Sequence, residues 1–218
     1  IERQVARGSR GKPIIVLSER MKRDFLSHFG HLENRLFVVP GAVDSITYSP
    51  DNVTRYRQEI RRQHSVPDED SLVLAVGGDW ERKGVAQSIE ALARLSSPQV
   101  SLLIVGVGDI PRYRNLARSM GVEARGIFAG ERKQIWRYYA AADIYLLPTL
   151  YEPFGLSVLE AMSTGIPVVV SENAGSAELT RDGFDALLLS DARDPSEIAS
   201  KLDRLLSDEE LRKRLGER

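Results

Sequence analysis

From Ser71 onward the chain repeats one pattern: a short apolar run, a glycine or polar turn, then an amphipathic stretch long enough for a helix. The apolar runs predict strands at 72–76, 101–105, 126–128, 144–147, 167–170 and 186–189. The 3.6-residue periodicity between them predicts helices at 84–95, 112–120, 134–141, 156–164 and 195–206, with a last one from 208. Each connection is too long for a hairpin and long enough for a helical crossover, so successive strands run parallel. Strands that are apolar along their whole length are buried on both faces and need helices on each side. The fold class that follows is α/β, a doubly wound parallel sheet of the Rossmann-like kind, which binds ligands beyond the carboxyl ends of its strands.

Three of those ends carry glycine. After the first strand comes Gly77-Gly78-Asp79-Trp80-Glu81-Arg82-Lys83-Gly84, a glycine turn that leads through two adjacent cations into a helix. After the second comes Gly106-Val107-Gly108-Asp109-Ile110-Pro111. It opens like a dinucleotide fingerprint but has Pro111 where the third glycine belongs, so it reads as a tight turn near a nucleotide and argues against hydride transfer. The third is Phe128-Ala129-Gly130-Glu131-Arg132.

The fourth end holds the carboxylates. Glu152 falls in the loop 148–153 and Glu160 in the helix that follows, with Phe154, Gly155, Leu156 and Ser157 between them. The free N–H groups of that helix start form an anion-binding end, and Gly155 allows a phosphate close approach. A sugar nucleotide fits the layout: Glu152 accepts from sugar hydroxyls, the helix start holds the diphosphate, and Glu160 takes the ribose hydroxyls.

Glu152-Pro153-Phe154-Gly155-Leu156, followed by a Leu159-Glu160-Ala161-Met162 helix and then Gly165-Ile166-Pro167-Val168-Val169-Val170, resembles the Glu-x7-Glu signature of the retaining family 4 glycosyltransferases. The segment 77–84 resembles that family's Gly-Arg-x-x-x-x-Lys-Gly donor-phosphate loop, with Gly78 where many members carry Arg, so that Arg82 has to supply the second positive charge beside Lys83. Arg82-Lys83-Gly84-Val85 with the helix after it looks most like the lipopolysaccharide-core glucosyltransferase branch. Phe128 to Gly130 resembles the segment whose backbone meets the base, and 36–44 resembles the interdomain Val-Pro-x-Gly-Val-Asp segment. The resemblance implies two Rossmann-like domains facing a cleft, of which this chain supplies the nucleotide-binding half. The catalytic residues it implies are Glu152, Arg82 and Lys83. The donor-binding set is these three with Gly77, Gly78, Gly106, Gly130, Phe154, Gly155, Leu156, Ser157 and Glu160. No metal and no cofactor beyond the nucleotide sugar, of the UDP-glucose kind, is expected. The acceptor, a glycan or glycolipid of lipopolysaccharide type, is expected to need a preceding domain. Alternatives are a nucleotide-binding module without catalysis and a nucleotide-sugar epimerase of the same plan; for the latter the cleft offers no acid/base His.

The division expected is 1–35 as a remnant of a preceding domain, 36–70 as interdomain segment and linker helix, and 71–218 as the nucleotide-sugar-binding domain. In 1–35 a strand at 13–17 leads through Ser18, a plausible N-cap, into a helix at 19–29, and one such unit cannot bury its own faces. The leader before it carries Arg3, Arg7, Arg10 and Lys12 against Glu2 and is either solvated or a contact for phosphate or a lipid headgroup. His28, His31 and His64 read as surface residues, Asp44 as a cap or turn former, Asp143 as a cap or turn rather than a catalyst, and Trp136, Tyr138 and Tyr139 as packing groups.

A net charge of −1 over 218 residues gives no global attraction to nucleic acid or to an anionic membrane, so peripheral membrane association would have to be local. With no cysteine there are no disulfides or thiolate metal sites, which agrees with a cytoplasmic setting. The isolated chain is expected to bind a nucleoside diphosphate without transferring sugar. Glu152→Gln is expected to leave diphosphate affinity nearly unchanged while weakening the sugar nucleotide.

Overall fold

The computed structural model describes residues 12–218; apart from Lys12, the basic leader lies outside them. The first unit is small. Strand β1 (Ile14–Val16) pairs in parallel with β2 (Leu36–Val38), and helix α1 (Glu19–His28) lies between them in sequence. Ser18 caps α1 by accepting the Met21 N–H at 3.0 Å. Ile14, Val16, Phe25, Leu32 and Leu36 form its core. The opposite face is bare, with Ile15, Phe37 and Val39 exposed. β2, the strand that opens the segment expected to be interdomain, thus joins the sheet of the preceding unit.

Helix α2 (Asp51–Gln63) follows, and then the main sheet. Its strands are β3 (Ser71–Val76), β4 (Val100–Val105), β5 (Gly126–Gly130), β6 (Ile144–Leu147), β7 (Val168–Ser171) and β8 (Leu187–Leu189). The helices between and after them are α3 (Val85–Leu92), α4 (Ile110–Ser119), α5 (Trp136–Ala141), α6 (Leu156–Ser163), α7 (Pro195–Ser207) and α8 (Glu209–Gly216). All six strands are parallel, in the order β5-β4-β3-β6-β7-β8. The chain therefore builds outward from β3 to β5, returns to the middle, and builds the other way from β6. The reversal leaves a crevice at the carboxyl ends of β3 and β6.

Strand parity sorts the core into two layers. Val73, Leu102, Ile104, Ile144, Leu146 and Val169 point to the face covered by α3, α4, α7 and α8, where Ile89, Ala117, Leu202 and Leu215 meet them. Leu72, Leu74, Leu103, Tyr145, Leu147 and Val170 point to the face covered by α2, α5 and α6, against Ile60, Tyr138, Tyr139 and Val158.

Two helix ends differ from expectation. α4 starts two residues early, because Asp109 accepts the Arg112 N–H at 3.0 Å and Pro111 sits in the first turn. α3 stops at Leu92, and the chain beyond it is turned so that Asp203 takes the Ser96 N–H at 3.1 Å. Asp143 does more than terminate a helix. It receives Arg57 at 2.6 Å and Arg61 at 3.3 Å from α2 and the Leu72 N–H at 2.7 Å from β3, tying the linker helix to the sheet. His64 is half-buried, correcting the surface reading: its Nε2 lies 3.3 Å from the Tyr138 hydroxyl, and burial together with the nearby Arg132 holds its pKa below the ordinary value.

Candidate active site

The loops after β3 and β6 emerge side by side and are joined through their backbones. Gly84 has φ +74°, and a Cβ there would stand 2.0 Å from the Pro148 carbonyl oxygen, so only glycine lets the two loops touch. The Arg82 carbonyl accepts the Leu150 N–H at 2.8 Å and the Thr149 hydroxyl at 3.0 Å. Gly77, at φ +139°, clears the Lys83 stem, since a Cβ there would lie 2.9 Å from Lys83 Cε.

This places three charged side chains at one point. Glu152 Oε2 receives Lys83 Nζ at 2.6 Å and Arg82 Nη1 at 3.0 Å. Arg82 Nη1 also donates to the Tyr151 carbonyl at 2.7 Å, and its Nε donates to Asp79 Oδ2 at 2.9 Å. The Lys83 and Glu152 side chains are each 13% exposed. Burial alone would raise the Glu152 pKa, but Lys83 and Arg82 hold it below the ordinary carboxylate value. Burial also disfavours the Arg82 charge, while Glu152 and Asp79 raise its pKa overall. The two cations expected to meet a diphosphate are paired here, in a cluster of two cations and two carboxylates. Asp79 was not foreseen. Its one signal in the sequence is its place three residues before Arg82 in a turn.

The other glycines line the same rim. The Gly77 N–H donates to the Val105 carbonyl and the Gly106 N–H to the Gly130 carbonyl, each at 2.9 Å, so Gly77, Gly106 and Gly130 lie across three adjacent strand ends. Gly78 is exposed beside them. Gly108 packs on the buried Trp80 ring, which explains a Gly-x-Gly without the dinucleotide motif.

On the β6 side, Gly155 precedes α6. Among the described residues no protein group accepts the N–H of Gly155 or Leu156, which leaves both for a ligand. The Phe154 side chain is buried, so only its backbone faces the rim. Leu156 is exposed, and the Ser157 hydroxyl is buried beneath the helix start. The loop is braced from outside: the Glu152 N–H donates to Asn173 O at 3.1 Å, and Ser18 Oγ to Pro153 O at 2.7 Å. Glu178 accepts the N–H groups of Glu19 and Arg20 at 2.8 and 2.7 Å, docking α1 next to the site. Glu160 stands apart from the cations, accepting the Tyr139 hydroxyl at 2.7 Å on Oε2. Tyr138 and Tyr139 are core residues, as read from the sequence.

Among the described residues, no three His, Cys, Asp or Glu side chains are grouped so as to hold a metal ion, and no helix is long and apolar enough to cross a membrane.

Residues 56–218 match the family described as glycosyl transferases group 1. The chain belongs to that family. Among its members the chain is 28% identical over 214 residues to the lipopolysaccharide glucosyltransferase WaaG of Escherichia coli, covering 97% of this chain and 57% of that protein. A crystal structure of WaaG, a glycosyltransferase involved in lipopolysaccharide biosynthesis, superimposes with a TM-score of 0.86 at 27% identity over 96% of this chain and 58% of that one. The D-inositol 3-phosphate glycosyltransferase of Corynebacterium efficiens is 35% identical over 205 residues, 89% of this chain and 48% of the relative. Anabaena Alr3699/HepE, in a crystal structure with UDP-glucose, matches with a TM-score of 0.84 at 25% identity over 94% of this chain and 57% of that one. The chain thus spans about half the length of the group 1 relatives it matches.

Proposed function

We propose that the chain is the donor-binding half of a retaining glycosyltransferase that moves a hexosyl group from a nucleoside diphosphate sugar, of the UDP-glucose kind, to a glycan or lipopolysaccharide-type acceptor. The observation that carries this is the pairing of Glu152 with both Lys83 and Arg82 at the crevice between β3 and β6. The HepE complex supports the donor class, and WaaG the acceptor class.

An arriving diphosphate brings phosphate oxygens to Lys83 and Arg82, which exchange one anionic partner for another, while the N–H groups of Gly155 and Leu156 take the remaining phosphate charge. Glu152 is then released towards the hexose hydroxyls, and Glu160 takes the ribose. As the glycosidic bond breaks, charge builds on the departing diphosphate, where cations and N–H donors already stand. Stabilising that charge without reorganisation is the main catalytic contribution of this half. The acceptor, the groups that hold it, the cytoplasmic setting and any association with a membrane surface belong to the same proposal. The paired cations supply the positive charge that a divalent metal would otherwise bring.

Calorimetry of the 218-residue chain with UDP, ADP and GDP tests the donor site. At least one should bind, and Lys83→Ala should weaken it by about 1.5–3 kcal/mol, the value of one charge-assisted hydrogen bond. Binding that is indifferent to Lys83 would sink the reading.

A further inference from the structure

Glu160 sits in a nest of tyrosines drawn from three parts of the chain. Tyr139 of α5, fully buried, donates its hydroxyl to Glu160 Oε2 at 2.7 Å. The Tyr139 ring meets Tyr48 edge-on at 5.6 Å and Tyr145 of β6 at 5.7 Å. Tyr48, from the segment ahead of α2, lies against the same carboxylate and is itself fastened by Ser163 Oγ, which donates to its carbonyl at 2.6 Å. Nothing in the proposed chemistry uses these phenols. Burial and the neighbouring Glu160 raise the pKa of both Tyr48 and Tyr139, so each stays protonated and can only donate to it.

We propose that Tyr139, supported by Tyr48, is a positioning residue that holds the Glu160 carboxylate in one orientation for a vicinal diol, the ribose hydroxyls of the donor nucleotide. A free glutamate side chain loses substantial rotamer entropy when it is ordered. Here that ordering is complete before the ligand arrives, because one carboxylate oxygen is already held by a buried donor. The remaining acceptor capacity of the carboxylate can then meet the diol without a further entropic cost.

The inference rests on the reading of Glu160 as a ribose ligand, and the experiment separates the two. The tightest-binding of UDP, ADP and GDP, its 2′,3′-dideoxy form and inorganic pyrophosphate are titrated into the wild-type chain and into Glu160→Gln, Tyr139→Phe and Tyr48→Phe, with a thermal melt to confirm that each is folded. Wild type should prefer the ribose form over the dideoxy form. Glu160→Gln should remove most of that preference. Tyr139→Phe should reduce it about fivefold to tenfold, the net value of one ordinary hydrogen bond, because it loosens Glu160 without removing it, and leave dideoxy and pyrophosphate binding unchanged. Tyr48→Phe should act in the same direction by less. A preference unaffected by Glu160→Gln overturns the ribose reading, and this inference with it. A preference lost in Glu160→Gln but intact in Tyr139→Phe, or a Tyr139→Phe that weakens all three probes alike, overturns the positioning role while leaving the ribose reading in place.

Discussion

Replacing Glu152 by Gln tests the central cluster, and the structure changes the outcome that spacing alone implies. Asp79, Glu152, Arg82 and Lys83 together are neutral, and Glu152 Oε2 is the one atom that holds both cations, Lys83 at 2.6 Å and Arg82 at 3.0 Å. Glutamine keeps the shape and an acceptor oxygen but removes the charge, leaving the site one unit more positive. A unit charge about 6 Å from a phosphate is worth roughly 1.4–2.8 kcal/mol at an effective dielectric constant of about 20–40. Salt and the open crevice reduce this to about 1 kcal/mol, near a fivefold gain for UDP. On the proposed reading UDP-glucose gains the same attraction but loses the carboxylate placed to meet its hexose, at about 1–3 kcal/mol. Glu152→Gln should therefore tighten UDP, leave UDP-glucose level or weaker, and shift the ratio of the two by about fivefold or more. Isothermal titration of both ligands at two salt concentrations reads this directly, and the gain for UDP should shrink at the higher salt. If the variant weakens UDP as much as UDP-glucose, the carboxylate is not a rival of the diphosphate for Lys83 and Arg82, and the reasoning fails.

The same pair leaves a signature in acid. Because the Glu152 pKa is lowered in the folded chain, its pairing stabilises the fold above the ordinary value of 4.5 and is lost as pH falls through the lowered value, so the Tm gap between wild type and Glu152→Gln should be full at pH 7 and shrink as the pH falls below 4.5. Donor affinity measured with and without a chelator should agree, and a loss of roughly 100-fold, about 2.7 kcal/mol, would show that a divalent ion is part of the site. Asp143→Ala takes the counter-charge from Arg61, whose side chain is 2% exposed, leaving it only the carbonyls of Ala141, Pro67 and Asp70, and should cost about 3 kcal/mol, lowering the Tm by roughly 6–12 °C in calorimetry; a change under about 2 °C would show that those carbonyls suffice for the buried charge.

The sheet was legible because each strand announces itself locally. The strand at 144–147 falls where its unbroken apolar run puts it, since such a run has few other ways to bury its surface. The α4 boundary was missed although its signal was present, in an Asp followed two residues later by Pro. The cluster itself was only half legible. Loop placement of Glu152 and of the two cations follows from the glycines and the helix starts. Their union across 70 residues depends on which strands are neighbours, and nothing near either motif encodes that. The Tyr139 to Glu160 contact is of the same kind: each residue reads as ordinary within its own helix, and only the packing of α5 against α6 brings hydroxyl to carboxylate.

Strand order is therefore the step that turns two loops into one site. With β3 and β6 adjacent, the carboxyl-end loops have nowhere to go but past each other, and the absence of a side chain at Gly84 lets them meet backbone to backbone at Pro148. The Arg82 carbonyl is then held by Thr149 and Leu150, while the Arg82 side chain reaches the Tyr151 carbonyl and Glu152 a few residues further on. One residue is gripped at both ends by a single loop, which sets the cation beside the Glu152 carboxylate. Fixing both before a ligand arrives costs stability where like charges and buried ionised groups gather, and that cost is carried by the two apolar layers beneath. In the proposed reaction a departing diphosphate would meet counter-charges already gathered at the crevice between β3 and β6, as electrostatic catalysis requires.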